Sequence, residues 1–154
     1  MELQYLPQLT AFNKIFKEMD DIYHNYAKHC GLSDSAFWVL YSSWQNDKVS
    51  SQRELCAAWF YSPQTINSAL KKLEKQGYVS LEPSPKKGMN QQISFTPAGK
   101  ALIEKIIPPI IQAELNVFAD LGENGRKELL SLTQKYAALM RGNLNRILKD
   151  SSED

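Results

Sequence analysis

Between Ser62 and Gly77 the chain carries polar side chains of two chemical kinds in a definite order. Short amide and hydroxyl side chains come first and lysines follow: Gln64, Thr65, Asn67, Ser68, then Lys71, Lys72 and Lys75. Amides and hydroxyls can hydrogen-bond to base edges in a DNA groove, whereas lysine ammonium groups suit phosphates. The exposed face of an ordinary helix carries the same residue types, so the flanking segments must decide between a DNA-reading surface and a merely solvated one.

The same stretch is predicted to be one helix with a signal at each end. Ser62 suits the N-cap, because its hydroxyl can accept from a free amide of the first turn, and Pro63 suits the first helical position. Gly77 suits the left-handed residue that ends a helix. Apolar residues recur at helical spacing, at Ile66, Ala69, Leu70 and Leu73. They form one buried stripe and leave the polar residues on the opposite face.

Three helices are predicted upstream of this one. Apolar residues at alternating steps of three and four over 9–30 predict a long amphipathic helix that ends at Gly31. Ser33 can cap an aromatic-rich second helix, and Ser51 with Glu54 matches a capping box that opens a short third helix. Two short helices joined by a tight turn, the second polar and basic outside, form a helix-turn-helix.

After Gly77 the spacing changes from helical to strand-like. Residues 78–81 and 92–95 predict two short strands, and the prolines and glycine between them predict an exposed loop. A hairpin that follows a helix-turn-helix is a wing. Its loop carries four polar side chains that can reach the flank of a DNA duplex: Lys86, Lys87, Asn90 and Gln91.

Two apolar helices are predicted to complete the chain. Thr96-Pro97 repeats the cap-plus-proline start, and a long helix follows. Pro108-Pro109 must kink or break that helix, because each proline removes an amide donor and crowds the preceding turn. The glycines within 122–125 predict a clear break, and the last helix is expected from about 126 to 149.

Composition and charge limit the possible functions. The 154 residues are 43% hydrophobic, enough for a core, and the formal net charge is +1. Residues 62–100 hold six lysines against two glutamates, a net charge of +4, so the remainder carries −3. A basic segment of this kind favours phosphate binding. There is no apolar run long enough to span a membrane and no signal-peptide pattern, so we expect a cytoplasmic protein without a membrane partner.

Five segments, taken together, resemble the MarR family of bacterial transcriptional regulators. In chain order they are Gly31-Leu32-Ser33, Arg53-Glu54-Leu55-Cys56, Ser62-Pro63-Gln64-Thr65-Ile66, Leu73-Glu74-Lys75-Gln76-Gly77-Tyr78-Val79 and Ile93-Ser94-Phe95-Thr96-Pro97-Ala98-Gly99-Lys100. The resemblance implies a mainly α fold with a small β-hairpin wing, as a single domain over 1–154. The winged helix-turn-helix would occupy 33–100, flanked by dimerisation helices at 5–31 and 101–149.

The resemblance also implies a homodimer that binds a pseudo-palindromic operator in double-stranded DNA, which we expect to be a repressor. The expected DNA contacts are Ser62, Gln64, Thr65, Asn67, Ser68, Lys71, Lys72, Lys86, Lys87, Asn90 and Gln91. The expected dimer contacts are Phe12, Phe16, Met19, Leu139 and Ile147. A symmetric partner is the commonest way to bury such apolar stripes, although packing within one chain is the alternative.

One departure from the family concerns the wing. The family usually carries an Asp and an Arg just before the return strand, and residues 84–91 contain neither. Lys86 or Lys87 can supply a positive charge there, but an ammonium group lacks the planar fork of a guanidinium. We therefore expect the wing contact to be less geometrically specific than an arginine in the minor groove.

The family resemblance further implies control by a small molecule or by redox chemistry. Aromatic residues gather over 23–44 and at Trp59-Phe60-Tyr61, and we expect an apolar or aromatic effector where the helix at Pro108-Pro109 adjoins the winged region. A redox-responsive or zinc-responsive regulator of the same fold is the alternative. Cys30 lies at the C-terminal end of a helix, where the helix dipole raises a thiol pKa.

We expect no metal, cofactor or catalytic residues. His24 and His29 are five residues apart, about 140° round a helix, and do not share a face as a metal-binding pair would. No phosphate-binding loop, nucleophile elbow or zinc-protease motif occurs in the sequence. The remaining rival from a different class is a winged helix that contacts protein or RNA.

Overall fold

The computed structural model describes residues 3–45, 51–82 and 92–150, which follow the predicted order of helices and hairpin. A 3-10 turn at Leu3–Tyr5 leads into the first helix. The helices are α1 (Leu6–His29), α2 (Asp34–Gln45), α3 (Gln52–Trp59), α4 (Pro63–Lys75), α5 (Pro97–Asp120) and α6 (Gly122–Asp150). The strands β1 (Val79–Glu82) and β2 (Gln92–Phe95) lie between α4 and α5.

The predicted helix ends of the first three helices are confirmed by the backbone geometry. Gly31 follows α1 with φ 74°, a left-handed conformation that glycine adopts without steric cost. The amide of Ala36 donates to Ser33 Oγ at 3.4 Å. At α3 the capping box is reciprocal: Glu54 N donates to Ser51 Oγ at 3.3 Å, and Ser51 N donates to Glu54 Oε2 at 2.7 Å.

The core of the predicted winged helix-turn-helix lies among α2, α3 and α4. Helix α2 packs against both α3 and α4, and α1 packs against α2. The side chains that fill this core are fully or almost fully buried: Phe37, Val39, Leu40, Leu55, Ile66, Ala69, Leu70 and Leu73. The predicted apolar stripe of α4 is therefore confirmed, and burial of these side chains fixes which face of α4 points outward.

The hairpin is antiparallel and short. Val79 lies opposite Phe95 and Glu82 lies opposite Gln92. Val79 and Ile93 are buried, so the hairpin is tied to the same region through its inward side chains, and β1 packs against α4. The first strand begins at Val79, one residue later than predicted, and the second has the predicted bounds.

Helix α5 does not end at the two prolines. Of the two outcomes expected at Pro108-Pro109, a break is wrong, because α5 is continuous from Pro97 to Asp120. Proline holds φ near −65°, which is itself a helical value, so the loss of two amide donors need not end a helix. Burial of Ile106 and Ile107 in the turn before the prolines holds that part of α5 on the core.

The break before the last helix is present, but its predicted bounds are wrong. Only Leu121 separates α5 from α6, and Gly125 lies inside α6. Gly122 adopts φ 65°, so a single left-handed residue is enough to redirect the chain. Arg126 Nη1 donates to the carbonyl of Phe118 at 2.6 Å and so satisfies one of the free carbonyl groups at the end of α5.

The chain divides into two compact units, one up to Pro108 and one from Pro109 onward. The first unit contains the buried core and the hairpin. The second contains the end of α5 and all of α6, and its large apolar side chains are mostly exposed. Within the described ranges there is no helix long and apolar enough to cross a membrane.

Candidate nucleic-acid interface

The polar residues of α4 lie in one stripe along the helix. Gln64, Ser68, Lys71, Lys72 and Lys75 are exposed and Asn67 is half-buried, at the spacing i, i+3, i+4, i+7, i+8 and i+11. The short amide and hydroxyl groups occupy the N-terminal half of this stripe and the three lysines occupy the C-terminal half. The stripe therefore offers hydrogen-bonding groups at one end and positive charge at the other.

Ser62 and Thr65 are both engaged in the start of α4. The amide of Thr65 donates to Ser62 Oγ at 3.1 Å, and the two hydroxyl oxygens are 2.8 Å apart. This is the N-cap geometry that the sequence predicts. Because Ser62 Oγ already accepts from the Thr65 amide, the geometry favours a positioning role for Ser62 over base recognition.

Two hydrogen bonds outside the predicted site hold α4 and its neighbours in place. Gln52 Nε2 donates to the carbonyl of Pro63 at 2.9 Å and joins the first turns of α3 and α4. Trp59 Nε1 donates to Ser42 Oγ, which joins the end of α3 to the buried side of α2. Sequence reasoning missed both contacts, since each depends on where two separate helices meet.

The turn between α3 and α4 contains a residue in an unfavourable backbone conformation. Phe60 has φ 55°, in the left-handed region, and its side chain is 88% exposed. A non-glycine residue in that region costs roughly 1–2 kcal/mol. The turn nevertheless keeps α3 and α4 close, because Leu55 and Ile66 on either side of it are buried.

The predicted wing contacts cannot be placed beside this stripe. Lys86, Lys87, Asn90 and Gln91 lie outside the described residues. The strands that carry the loop are described up to Glu82 and from Gln92, and these two residues pair with each other. The described strands on either side of these residues therefore pair as one antiparallel hairpin.

The predicted dimer contacts lie on exposed or half-buried apolar positions. On α1, Phe12 is half-buried, and Phe16 and Met19 are 40% and 42% exposed. The rings of Phe12 and Phe16 pack at 4.7 Å between centroids. On α6, Leu139 and Ile147 are 57% and 59% exposed. Each helix thus carries an apolar surface that a single chain does not cover.

Cys30 has a raised thiol pKa. Burial is the main cause, and it is partly offset by a hydrogen bond with Tyr26 and by the positive charge of Lys105. The direction matches the prediction, although burial is the larger cause in place of the helix end. His24 Nδ1 lies 3.0 Å from an Asp34 carboxylate oxygen. In the part of the chain that the structure describes, no three His, Cys, Asp or Glu side chains are placed to hold a metal ion.

The aromatic residues form a connected group beside a cavity. Trp38 contacts Tyr23, Tyr41 and Trp59, with ring centroids 5.1, 5.2 and 4.4 Å away. A cavity of about 470 Å³ opens beside them, lined by residues of α1, of α2 and by Tyr61. Among the described residues that line it, none belongs to α5, so the cavity is not at the Pro108-Pro109 position where we expected an effector.

Comparisons with known proteins agree with this arrangement. A MarR family model matches residues 31–88, which include α2, α3, α4 and β1. The HTH-type transcriptional regulator SarZ of Staphylococcus aureus is 32% identical over 111 residues, which is 72% of this chain and 72% of SarZ.

Solved structures show the same fold. The MarR family regulator NMB1585 of Neisseria meningitidis superposes with a TM-score of 0.75 at 19% identity, covering 90% of this chain and 97% of that one. The MepR–DNA complex of Staphylococcus aureus superposes with a TM-score of 0.65 at 18% identity, covering 84% of this chain and 94% of that one.

The family also answers the question of enzymatic activity, because MarR-family proteins are DNA-binding regulators and not enzymes. The fold predicted from the sequence, mainly helical with a two-stranded wing, is confirmed. From the SarZ relationship, the family model and the shared fold, this chain belongs to the MarR family of DNA-binding transcriptional regulators.

Proposed function

We propose that this protein is a homodimeric repressor that reads a pseudo-palindromic operator with α4 in the major groove of each half-site. The observation that carries the proposal is the single polar stripe on α4, with amides and a hydroxyl at the N-terminal end and lysines behind them. In helix-turn-helix proteins, the N-terminal residues of the second helix meet base edges. The fold shared with MepR, whose structure is a DNA complex, supports DNA as the partner of this chain.

Within this stripe we assign base reading to Gln64, Asn67 and Ser68. Their side chains are not used to cap α4, whereas Ser62 and Thr65 bond to each other at the helix start. Amide side chains can bond to two positions of an adenine at once, and hydroxyls bond to several base edges. Lys71 and Lys72 follow on the same stripe and are assigned to phosphates, as are Lys86 and Lys87 of the wing loop.

The test starts from the operator, obtained by selecting genomic DNA fragments that the purified protein retains. We expect Gln64→Ala and Asn67→Ala each to weaken operator binding by about 1–3 kcal/mol and to relax sequence preference. Gln76→Ala is the matched control, because Gln76 is an exposed glutamine at the other end of the same helix. Unchanged operator affinity in both test variants, with helix content intact by circular dichroism, would contradict the assignment.

The apolar residues that α1 and α6 leave uncovered support the proposed homodimer. Burial of Phe16, Met19, Leu139 and Ile147 against a second chain would remove these side chains from water. Two-fold symmetry of the protein then accounts for a pseudo-palindromic operator, whose half-sites lie about 10 base pairs apart.

Release from DNA by a small molecule is the form of control that we propose, in a protein acting in the cytoplasm. The cavity beside Trp38 supports it, since 470 Å³ lies within the usual volume range of ligand sites. A ligand can release DNA only if it binds the DNA-free conformation more tightly. By linkage, operator DNA must then weaken ligand binding by the same factor.

A further inference from the structure

The cavity between α1, α2 and Tyr61 has walls of two chemical kinds. Aromatic rings of Tyr23, Phe37, Trp38 and Tyr61 form one part, and carboxylates of Asp20, Asp21 and Asp34 form another. Three of these four rings pack together: Tyr23 lies 5.1 Å and Phe37 5.1 Å from Trp38 between centroids. Packed rings of this kind give a preformed wall that needs little reorganisation to accept a ligand.

The charges of the cavity do not cancel. Lys17 is the one lysine or arginine among the described residues that line it, against three carboxylates. The carboxylate of Asp34 lies 3.0 Å from Nδ1 of His24, and the carboxylate of Asp21 accepts a hydrogen bond from the side-chain amide of Asn25 at 2.8 Å. Within the described part of the chain, Asp20 has no hydrogen bond or ion pair, and Lys17 has no ion pair. The cavity therefore carries an excess of negative charge with one carboxylate available to a ligand.

The state of Tyr61 is consistent with that excess. The pKa of its phenol is raised, first by burial and then by the negative charges of Asp34 and Asp20. The fields of both carboxylates therefore reach the aromatic side of the cavity. Tyr61 also immediately precedes Ser62, the N-cap of α4, so one wall of the cavity adjoins the start of α4.

We propose that this cavity binds an organic cation with an aromatic body, its charged group at Asp20 and its ring against Trp38 and Tyr61. A cation is attracted both by carboxylates and by the faces of aromatic rings. An anion of the same size meets three carboxylates and one lysine and is disfavoured. Binding of the cation to the free protein does not depend on DNA. Its role as the effector that releases DNA rests on the proposed function.

The test uses three probes that share one ring system and differ in charge: 1-naphthylmethylamine, 1-naphthalenemethanol and 1-naphthoate. Binding to the full-length protein without DNA is measured by calorimetry at neutral pH and by quenching of tryptophan fluorescence. We expect the amine to bind at least tenfold more tightly than the alcohol, and the naphthoate to bind most weakly. Asp20→Asn should reduce amine affinity about tenfold and leave the alcohol unchanged.

Glu18→Gln is the matched control for the loss of one carboxylate on α1, because Glu18 is exposed and does not line the cavity. Equal affinities of amine and alcohol, or tighter binding of the naphthoate, would overturn the proposal. So would an amine affinity that falls equally in Asp20→Asn and Glu18→Gln. These outcomes concern the free protein, so they are distinguishable from a failure of operator binding, which is measured separately.

Repeating the amine titration on the operator complex separates the two proposals. A tenfold loss of amine affinity when the operator is present supports the cation as the effector. Cation binding that is indifferent to the operator would leave the binding site in place and would overturn its role in release from DNA.

Discussion

At the scale of single residues, the structure divides the predicted DNA contacts into two groups. Ser62 and Thr65 hold the first turn of α4, whereas Gln64, Asn67 and Ser68 take no part in that cap and are the proposed base-reading residues. Replacing an N-cap serine by alanine costs about 1 kcal/mol of helix stability, and a less stable α4 would weaken DNA binding only indirectly. The two groups are thus separable, because only the second should change sequence preference without a change in stability.

The lysines of α4 are expected to neutralise phosphates and not to read bases. We predict that Lys72→Gln weakens binding to operator and to unrelated DNA alike and lowers the slope of log K against log salt by about one unit. Lys135→Gln is the control, since Lys135 is an exposed lysine on α6. The measurement is a filter-binding titration over a series of salt concentrations. A loss confined to the operator would contradict a pure phosphate contact, and a wild-type protein without salt dependence would favour a protein-binding role.

The raised pKa of Cys30 predicts that its thiol reacts slowly with alkylating reagents at neutral pH. Burial disfavours the thiolate, and the Tyr26 hydrogen bond and the Lys105 charge recover only part of that cost. In a Cys56→Ser protein, we expect iodoacetamide to alkylate native Cys30 much more slowly at pH 7.5 than the same cysteine after unfolding in urea. The native rate should keep rising with pH beyond the ordinary thiol pKa. Rapid native alkylation at neutral pH would instead revive control by oxidation.

At the scale of secondary-structure elements, the junction of hairpin and α5 is held by several hydrogen bonds of one residue, Thr96. Thr96 Oγ1 donates to the carbonyl of Gly77 at 2.7 Å and accepts from the amide of Gly99 at 3.0 Å. The amide of Thr96 also donates to the carbonyl of Tyr78 at 3.1 Å. One threonine therefore caps α5 and ties it to the end of α4.

Gly99 is required by this close approach. A Cβ at Gly99 would lie 1.9 Å from the carbonyl oxygen of Tyr78, a backbone atom that cannot move without shifting β1. We predict that Gly99→Ala lowers the free energy of unfolding by about 1–3 kcal/mol, measured by urea denaturation. Gly125→Ala is the matched control, because its Cβ would meet Leu121 Cβ at an ordinary 3.5 Å inside α6. Equal stability of Gly99→Ala and the wild type would show that the junction is loose.

At the scale of the whole molecule, the main feature is the apolar surface of α1 and α6. The exposed apolar side chains on α6 include Leu129, Leu132, Leu139, Met140, Leu144 and Ile147. Large apolar side chains left exposed along the length of a helix are unusual on a protein that works as a monomer. It is the reason for proposing a second copy of the chain as the partner.

A charge placed on this surface should prevent assembly. We predict that Phe16→Glu shifts the protein from dimer to monomer in sedimentation velocity at micromolar concentration, because burying a carboxylate costs several kcal/mol. Lys14→Glu places the same carboxylate at an exposed polar position of α1 and should leave the dimer intact. A wild-type protein that sediments as a stable monomer would contradict both the dimer and the two-fold operator.

Sequence reasoning located most helix ends, because a cap or a left-handed glycine acts on the backbone within a few residues of its own position. It identified the stripes of α4 for the same reason, since helical spacing alone places Ile66 and Leu70 on one face and Gln64 and Lys71 on the other. It left a kink or a break open at Pro108-Pro109, and the helix does not break, because the loss of two amide donors can be outweighed by burial of the adjacent isoleucines.

By itself, then, the sequence determined the order of the elements, the outward face of α4 and the family. Only the tertiary structure decided that Asp20 of α1, Trp38 of α2 and Tyr61 before α4 line one cavity. It also decided that a side chain at Gly99 would clash with the carbonyl of Tyr78. The physical reason is range: propensities and caps act between neighbours in the chain, whereas a cavity and a backbone contact depend on how distant helices pack.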